Sequence, residues 1–142
     1  APAAAYAASG VSGDMFGDTL TNLETLPVPT LEFGKDGIEG QVLTRDRFGN
    51  LFTSIGQFWY QEESLDCRSW ITNREISDID SRSLKVRVHN LRLPVVSTFA
   101  SVNRGDCAGL IGSTGLLEII ANQGSAASIL ELKTGESVKL TW

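Results

Sequence analysis

Residues 40–55 read GQVLTRDRFGNLFTSI, and this stretch decides the fold. Apolar and polar side chains alternate through both halves of it, which is the period of an extended strand with one buried face. The alternation predicts that Val42 and Thr44 share one face of the first strand. Gly49 and Asn50, between the two halves, are a turn signal. The stretch therefore predicts a β-hairpin.

The turn of this hairpin, residues 46–50, reads DRFGN and admits two interpretations. In the first, Asp46 and Asn50 cap the turn through local hydrogen bonds while Phe48 folds back onto the core. In the second, the turn is a ligand site. The Phe48 ring would stack on a purine, the Asn50 amide would pair with the edge of adenine, and the Asp46 carboxylate would hold a cationic amine. Spacing alone does not decide between the two.

Length and charge limit the class of protein. The chain has 142 residues, enough for one substantial core, and we expect one domain with an appendage. Its net charge is −5, from 12 Lys and Arg against 17 Asp and Glu, so it lacks the excess of basic residues that is typical of nucleic-acid-binding proteins. No apolar run approaches the length of a membrane-spanning helix. Neither a nucleic-acid partner nor a membrane partner is predicted, and a cytoplasmic location is expected.

The thiols and the histidine offer little chemistry. Cys67 and Cys107 match no metal-ligand spacing and are too few for a disulfide scaffold, so neither a metal nor a cofactor is predicted. Whether they pair stays open, although in a cytosolic protein we expect two unpaired buried thiols. His89 is the only histidine, and the pattern puts it on the wet face of a strand over residues 84–91. At that position we expect the His89 side chain to be solvated and to have no catalytic role.

The chain begins with a segment that differs from the rest. Residues 1–8, APAAAYAA, have Pro near the start and Gly10 just past the end, which predicts a short helix. Such a helix is marginal in water, and the first residue is not Met, so we expect a piece cut from a longer polypeptide. Residues 11–39 show little periodicity and are predicted to be a connector. The predicted units are a remnant with its connector at 1–39 and a β domain at 40–142.

Strand patterns continue after the hairpin. They fall at residues 58–60, 70–72, 84–91, 95–102, 107–111, 116–121 and 137–141, with a charged loop at 61–66, a strand end at Pro94, and a helix at 126–132 capped by Ser125. About seven strands with one short helix predict an all-β fold, a mainly antiparallel barrel or sandwich. The residues expected to be largely buried are Val42, Leu51, Val86, Val88, Leu110, Leu117, Ile119 and Leu140.

Several of these segments together resemble a known family. The hairpin, TFASV at 98–102, STGLLEIIANQGSAA at 113–127 and LKTGESVKL at 132–140 are similar to the C-terminal domain of the S-adenosylmethionine hydroxide adenosyltransferases. These relatives of the fluorinase and chlorinase cleave S-adenosylmethionine at C5′ of the ribose. The opening APAAAYAASG is similar to the final helix of the family's N-terminal domain.

The resemblance implies a role for each matching residue of the turn. Phe48 and Asn50 match the positions that stack on the adenine and hydrogen-bond to it. Asp46 matches the carboxylate near the methionine amino group. Phe99 matches a second aromatic side chain beside the adenine.

Further along the chain, the resemblance implies where the methionine part of the substrate binds and which branch of the family the chain is most similar to. Ser113 matches a serine at the methionine end of the substrate, and Ala121, Asn122 and Gln123 correspond to backbone that meets the adenine edge. Halogenases carry an additional residue between the acid and the Phe, and an Arg after the serine where this chain has Thr114. The hydroxide-using branch is therefore favoured, with a halogenase domain as the alternative.

The resemblance also implies an incomplete site. In the family the water-activating residues lie in the N-terminal domain, and the substrate sits between two subunits of a trimer. The chain is then expected to bind S-adenosylmethionine or adenosine as part of a homotrimeric hydrolase, to hold no catalytic residue, and to be inactive alone. The competing hypothesis is a non-catalytic β binding or assembly module in which DRFGN is only a turn.

Overall fold

The computed structural model describes residues 2–61 and 64–142, so Ala1 and residues 62–63 of the predicted charged loop lie outside the described parts. The strands are β1 Leu31–Gly34, β2 Gly37–Arg45, β3 Leu51–Gly56, β4 Phe58–Gln61, β5 Ser64–Arg68, β6 Glu75–Asp80, β7 Lys85–Val88, β8 Leu91–Val96, β9 Cys107–Ile111, β10 Leu116–Ala121 and β11 Ser137–Thr141. The helices are α1 Pro2–Ala8 and α2 Ala126–Leu130, with short 3₁₀-helices at Gly13–Phe16 and Phe99–Ser101.

Seven of the strands close into a barrel. Their order is β2, β11, β7, β8, β9, β10 and β3, and β3 pairs again with β2. All of these pairs are antiparallel except β8 with β9. Closure removes the free sheet edges that would otherwise invite association. The prediction of a mainly antiparallel all-β fold is confirmed, and its form is a barrel.

The hairpin predicted from residues 40–55 is present as β2 and β3. A β-bulge shifts the register between Val42 and Thr44, so Val42 is buried while Thr44 is exposed. The expectation that these two side chains share a face is therefore wrong. The hairpin also begins earlier than predicted, because β1 pairs with the first residues of β2 from Gly37. Part of the predicted connector thus belongs to a strand pair.

A second, smaller sheet consists of β4, β5 and β6. The predicted charged loop at 61–66 contains the start of β5, and the candidate strand at 70–72 is a bend. Strand β6, with the sequence EISDID, was not predicted. Three of its six residues are acidic, so its sequence lacks the apolar and polar alternation of a typical strand. Ile79 is nevertheless buried, and Ile76 packs against the core.

The strand predicted at 84–91 is divided into two. Strand β7 ends at Val88, and His89 and Asn90 form a turn into β8. His89 has φ 49, a left-handed conformation that ends the strand, and its side chain is exposed as expected. Pro94 does not close a strand. It lies inside β8, which pairs with β9 only from Val95 onward.

One apolar core joins the barrel to the smaller sheet, which contributes Leu65, Cys67 and Ile79. Of the eight side chains predicted to be buried, all are buried except Leu110, which is only partly so. Leu110 pairs with Glu118 across β9 and β10, and both face outward, while Leu117 and Ile119 face the interior. The two thiols are free, with Cys67 buried and Cys107 partly exposed.

Both predicted helices are present. Helix α1 follows Ala1 and has no buried residue. Helix α2 is capped by Ser125, whose side chain accepts a hydrogen bond from the Ser128 backbone. It ends at Leu130, earlier than predicted, because Glu131 adopts φ 53. No helix in the described parts of the chain is long and apolar enough to cross a membrane.

Candidate functional site

The carboxylate of Asp46 organises the turn between β2 and β3. Its Oδ1 accepts hydrogen bonds from the backbone N–H groups of Phe48 at 2.8 Å and Asn50 at 2.9 Å. Its Oδ2 accepts from Nδ2 of Asn50 at 2.9 Å. The capping interpretation is therefore correct for Asp46 and Asn50. It is wrong for Phe48, whose side chain is 63% exposed and does not fold onto the core.

These hydrogen bonds change the acidity of Asp46. Burial disfavours its charged form, but hydrogen bonds from the Asn50 side chain and from the backbone of Asn50, Phe48 and Gly49 outweigh burial and lower the pKa. The carboxylate is thus held in its ionised form by the turn that it caps.

The turn is fixed against helix α2. The carbonyl oxygen of Gly49 accepts a hydrogen bond from the backbone N–H of Ala127 at 3.0 Å. Gly49 has φ 89, and a Cβ built there would collide with Oγ of Ser125. Only glycine combines this backbone conformation with so close an approach. The Phe48 ring therefore projects from a rigid support.

An aromatic cleft lies at this end of the barrel. It has a volume of about 370 Å³ and is lined by Phe48, Asn50, Phe99, Ala121, Gln123 and Gly124. The turn, the 3₁₀-helix Phe99–Ser101 and the segment after β10 supply these residues. The structure thus brings together five of the eight predicted site residues.

The aromatic cleft offers stacking surfaces and an amide. Phe48 is 63% exposed and Phe99 is 41% exposed, so both rings are accessible to a flat ligand. The Asn50 amide gives one N–H to Asp46. Its second N–H and its carbonyl oxygen can still bind the paired donor and acceptor of a base edge.

Arg47 covers part of the ring of Phe48. Its guanidinium carbon lies 4.7 Å from the ring centroid, within the range of a cation–π contact. A second cleft of about 420 Å³ adjoins this contact and is lined by Arg45, Asp46, Arg47, Phe48, Gly49 and Ser125. Asp46 therefore borders the aromatic cleft through Phe48 without lining it.

Asn122 has a structural role. Its side-chain Nδ2 donates to the carbonyl oxygen of Val102 at 2.7 Å, and its backbone N–H donates to the carbonyl oxygen of Asp106 at 3.0 Å. Its own carbonyl oxygen accepts from Gly105 at 2.7 Å. Asn122 ties the segment after β10 to the loop before β9, and it does not line the aromatic cleft.

Ser113 lies at the opposite end of β10. It is exposed in the turn between β9 and β10, which is closed by a hydrogen bond from the Gly115 N–H to the Gly112 carbonyl oxygen at 2.9 Å. The six residues of β10 separate this turn from the aromatic cleft, a span of roughly 17–20 Å. The structure therefore does not bring Ser113 into the cleft.

Glu118 lies between these two places and was missed by sequence reasoning. It points outward from β10, half-buried, where its neighbours are Phe52 on β3 and Leu110 on β9. Burial and the nearby charge of Asp46 raise its pKa. The signal that could have found it is one acid inside the otherwise apolar strand LLEIIA.

Other clefts of the described structure contain little of the predicted chemistry. One of about 700 Å³ is mainly apolar and lies between residues 26–29 and Trp70. Another of about 440 Å³ contains His89, whose Nε2 is 3.9 Å from Oε2 of Glu136. Among the described residues, no three His, Cys, Asp or Glu side chains lie close enough together to hold a metal ion.

Together these features define a β-barrel domain with an aromatic cleft at one end. Residues 40–139 match the family model of the SAM hydroxide adenosyltransferase C-terminal domain. The chain belongs to this family. Its β-barrel is the part that corresponds to the family's C-terminal domain. The match gives no support to a halogenase domain or to a non-catalytic module.

Two related proteins carry the same name. The chain is 35% identical to the (R)-S-adenosyl-L-methionine hydrolase of Thermus thermophilus, over 99% of this chain and 46% of that protein. It is 29% identical to the (R)-S-adenosyl-L-methionine hydrolase of Salinispora tropica, over 85% of this chain and 39% of that protein. The chain thus spans less than half the length of these curated relatives.

Solved structures share the fold. An uncharacterized conserved protein from Thermotoga maritima matches with a TM-score of 0.64 at 23% identity, over 99% of this chain and 49% of that one. A conserved hypothetical protein from Thermus thermophilus matches with a TM-score of 0.60 at 32% identity, over 98% of this chain and 49% of that one. The first similarity shows the fold alone.

Proposed function

We propose that this chain is the substrate-binding half of an S-adenosylmethionine hydrolase, which converts S-adenosylmethionine and water to adenosine and methionine. The observation that carries the proposal is a single cleft that unites Phe48, Asn50 and Phe99 with Ala121 and Gln123, in a chain of the hydroxide adenosyltransferase family. The names of the two hydrolases to which the chain is similar support the same reaction.

The adenine is proposed to bind in the aromatic cleft. Its flat face stacks on the exposed ring of Phe48, with Phe99 beside it. The free N–H and carbonyl oxygen of Asn50 pair with the base edge, and backbone at Ala121 and Gln123 closes the other side. Because Arg47 already covers part of the Phe48 ring, the base uses the face that Arg47 leaves open.

The methionine part is proposed to extend from the aromatic cleft along the outer surface of β10 toward Ser113. This direction follows from the distance between the two predicted ends of the site, since residues at opposite ends of one strand contact one ligand only if it is elongated. S-adenosylmethionine has this shape, with the base at one end and the amino acid at the other.

The water-activating groups are proposed to come from outside these 142 residues. The cleft is open, because the Phe48 ring is 63% exposed, and a site for this reaction needs a wall that excludes solvent. We propose that an N-terminal domain of a neighbouring subunit in a homotrimer supplies that wall, and that residues 1–39 are the end of such a domain with its connector. A cytoplasmic location stays a prediction.

The proposal is tested by measuring adenosine release from S-adenosylmethionine. The complete protein that contains this chain should release adenosine, and the 142-residue chain alone should not. In the complete protein, Phe48→Leu keeps an apolar side chain but removes the ring, so we expect the KM to rise about tenfold or more. Phe48→Tyr keeps the ring and should stay near the parent.

Two outcomes would contradict the proposal. Adenosine release by the 142-residue chain, unchanged by Asp46→Ala, would mean that the catalytic groups lie elsewhere than proposed. Equal kinetics for Phe48→Leu and Phe48→Tyr would mean that the ring does not bind the base, and the binding-module hypothesis would then be favoured.

A further inference from the structure

The 3₁₀-helix Phe99–Ser101 carries one of the two rings of the aromatic cleft, yet it has little packing of its own. None of its residues is buried. Its hydrogen bonds are local, from the Ser101 N–H to the Thr98 carbonyl oxygen at 3.2 Å and between the hydroxyl groups of Thr98 and Ser101 at 3.1 Å. The position of the Phe99 ring therefore depends on what holds the loop of residues 98–106 to the barrel.

Asn122 holds this loop through three hydrogen bonds. Its Nδ2 donates to the carbonyl oxygen of Val102 at 2.7 Å. Its backbone N–H and carbonyl oxygen bind Asp106 and Gly105, at 3.0 Å and 2.7 Å. Among side chains outside the loop in the described parts of the chain, only that of Asn122 is hydrogen-bonded to it. Val102 directly follows the 3₁₀-helix, so the side-chain bond fixes the end of the helix that carries Phe99.

The two chain neighbours of Asn122 belong to the wall of the aromatic cleft. Ala121 and Gln123 both line it. Gln123 has φ 53, a left-handed conformation that is uncommon for a residue other than glycine. Such a conformation persists where the surrounding structure fixes the backbone, and the backbone of Asn122 is bound to the loop on both sides. Asn122 therefore lies where two segments that line the cleft meet.

The Asn122 side chain controls the distance between these segments. Asn122 and Val102 are both partly buried. Without the Nδ2 donor, the Val102 carbonyl oxygen would be unpaired at a partly buried position, which is unfavourable. The loop would lower this cost by moving toward water, and Phe99 would move with it. A gap of about 0.5–1 Å already forfeits a quarter to a half of the attraction between two contacting groups.

We propose that Asn122 is a positioning residue for base binding, because its side chain holds the Phe99 ring against a base that is stacked on Phe48. This inference rests on the proposed function and deepens it. Asn122 itself does not line the aromatic cleft and acts through Phe99. It takes no part in making or breaking a bond.

The test measures the KM and kcat for S-adenosylmethionine and the competitive inhibition constant of adenosine, all in the complete protein. Asn122→Ala removes the donor and leaves the backbone hydrogen bonds. Asn122→Asp removes the donor at constant size, so it separates the loss of the hydrogen bond from the loss of volume. Asn103→Ala is the matched control, because the Asn103 amide bonds to Oδ2 of Asp106 at 3.0 Å within the same loop.

Both Asn122 variants should raise the KM and the adenosine inhibition constant about threefold to tenfold, the loss expected for part of one stacking contact. The kcat should stay within about twofold of the parent, because the contact binds substrate and transition state alike. A merely structural role would instead reduce the amount of folded enzyme, which lowers the apparent kcat and leaves the KM unchanged. Asn103→Ala should match the parent in all three constants.

A double-mutant cycle identifies the residue through which Asn122 acts. Phe99→Leu removes the ring that Asn122 positions, so adding Asn122→Ala to Phe99→Leu should raise the KM by less than about twofold further. Hydrogen exchange gives a readout that needs no substrate. The backbone amides of Gly105 and Asn122, which are bonded across the gap, should exchange faster in Asn122→Ala than in the parent.

Several outcomes overturn the positioning role. If the parent cleaves S-adenosylmethionine but both Asn122 variants keep its KM and inhibition constant, the role is excluded and the proposed function stands. A fall in kcat alone, unchanged hydrogen exchange, or an equally large rise in KM with and without the Phe99 ring would exclude it as well. Asn122→Asp decides in the same way if Asn122→Ala does not fold. If the parent neither cleaves S-adenosylmethionine nor is inhibited by adenosine, the proposed function fails and this inference fails with it.

Discussion

The side-chain amide of Asn50 donates a hydrogen bond to Oδ2 of Asp46 over 2.9 Å. The first and last residues of the DRFGN turn are therefore joined directly by their side chains. Phe48 lies between them, and its backbone N–H is bound to Oδ1 of the same carboxylate. The ring cannot turn back to the core without breaking this arrangement. The capping of the turn and the exposure of the aromatic ring are therefore two results of one set of hydrogen bonds.

Replacing Asp46 should destabilise the domain and disorder the turn. Asp46→Ala removes three hydrogen bonds to a charged acceptor, and we expect a loss of about 1–3 kcal/mol in the free energy of unfolding. Urea denaturation of the purified chain measures this loss. Asp36→Ala, in the exposed turn between β1 and β2, is the control and should change stability by less than about 0.5 kcal/mol.

The pH dependence gives an independent check on Asp46. Its folded pKa lies below its unfolded value of 3.8, so its contribution is complete above pH 3.8 and is lost as the pH falls through the folded pKa. The difference in stability between parent and Asp46→Ala should shrink over that acidic range. A difference that stays constant from neutral pH to strongly acidic pH would contradict the hydrogen-bonded carboxylate.

The strands that the sequence predicted best are those in which apolar residues dominate the local pattern. Strand β11 alternates, with Val138 and Leu140 buried, whereas β10 is a nearly continuous apolar run in which Leu117, Ile119 and Ile120 are all buried. Strand β6 has two apolar residues, Ile76 and Ile79, and three acidic side chains, and it pairs with β5. That pairing is not visible in the pattern of one segment, which is why this strand was missed.

The candidate site was predictable only in part. Family resemblance named Phe48, Asn50 and Phe99, but only the closed barrel puts their side chains into one cleft. The bulge in β2 and the outward position of Glu118 depend on register across three strands. A single sequence does not specify that register, so neither feature was predicted.

Glycine should be required at position 49 for two reasons, the left-handed backbone conformation and the close approach of Ser125. Gly49 has φ 89 with Ser125 in contact, whereas Gly105 has φ 87 and open space where a Cβ would lie. Gly105→Ala should therefore cost only the strain of a left-handed residue, about 1–2 kcal/mol. Gly49→Ala should cost about 1–3 kcal/mol more because of the collision. Chemical denaturation of the two variants compares them, and equal losses would refute close packing of the turn against α2.

Glu118→Gln should stabilise the chain at neutral pH. Burial and the charge of Asp46 raise the folded pKa of Glu118 above its unfolded value of 4.5. Ionised Glu118 therefore disfavours the folded state, and parental stability falls as the pH rises through the folded pKa. Thermal unfolding should show a higher Tm for Glu118→Gln at pH 7, with the gain disappearing below pH 4.5. A lower Tm at pH 7 would mean that the carboxylate makes a stabilising contact within the chain.

The 142-residue chain should bind adenosine weakly through the aromatic cleft. Stacking of about 1–3 kcal/mol and a paired amide of about 1 kcal/mol fall well short of the roughly 8 kcal/mol that micromolar affinity requires. We therefore expect millimolar or undetectable binding in a titration followed by amide chemical shifts. Any shifts should centre on Phe48, Asn50 and Ala121, and they should be lost in Phe48→Ala.

Tyr60 provides a matched control for that titration. It is 63% exposed, as Phe48 is, but it lies on β4 in the smaller sheet. Tyr60→Ala removes an equally exposed aromatic ring, so a nonspecific preference of adenosine for exposed rings would be reduced by both substitutions. Binding that is lost in Phe48→Ala and kept in Tyr60→Ala places the base in the aromatic cleft. Shifts that persist in Phe48→Ala would show that the DRFGN turn is structural, since the ring that it presents would then have no ligand.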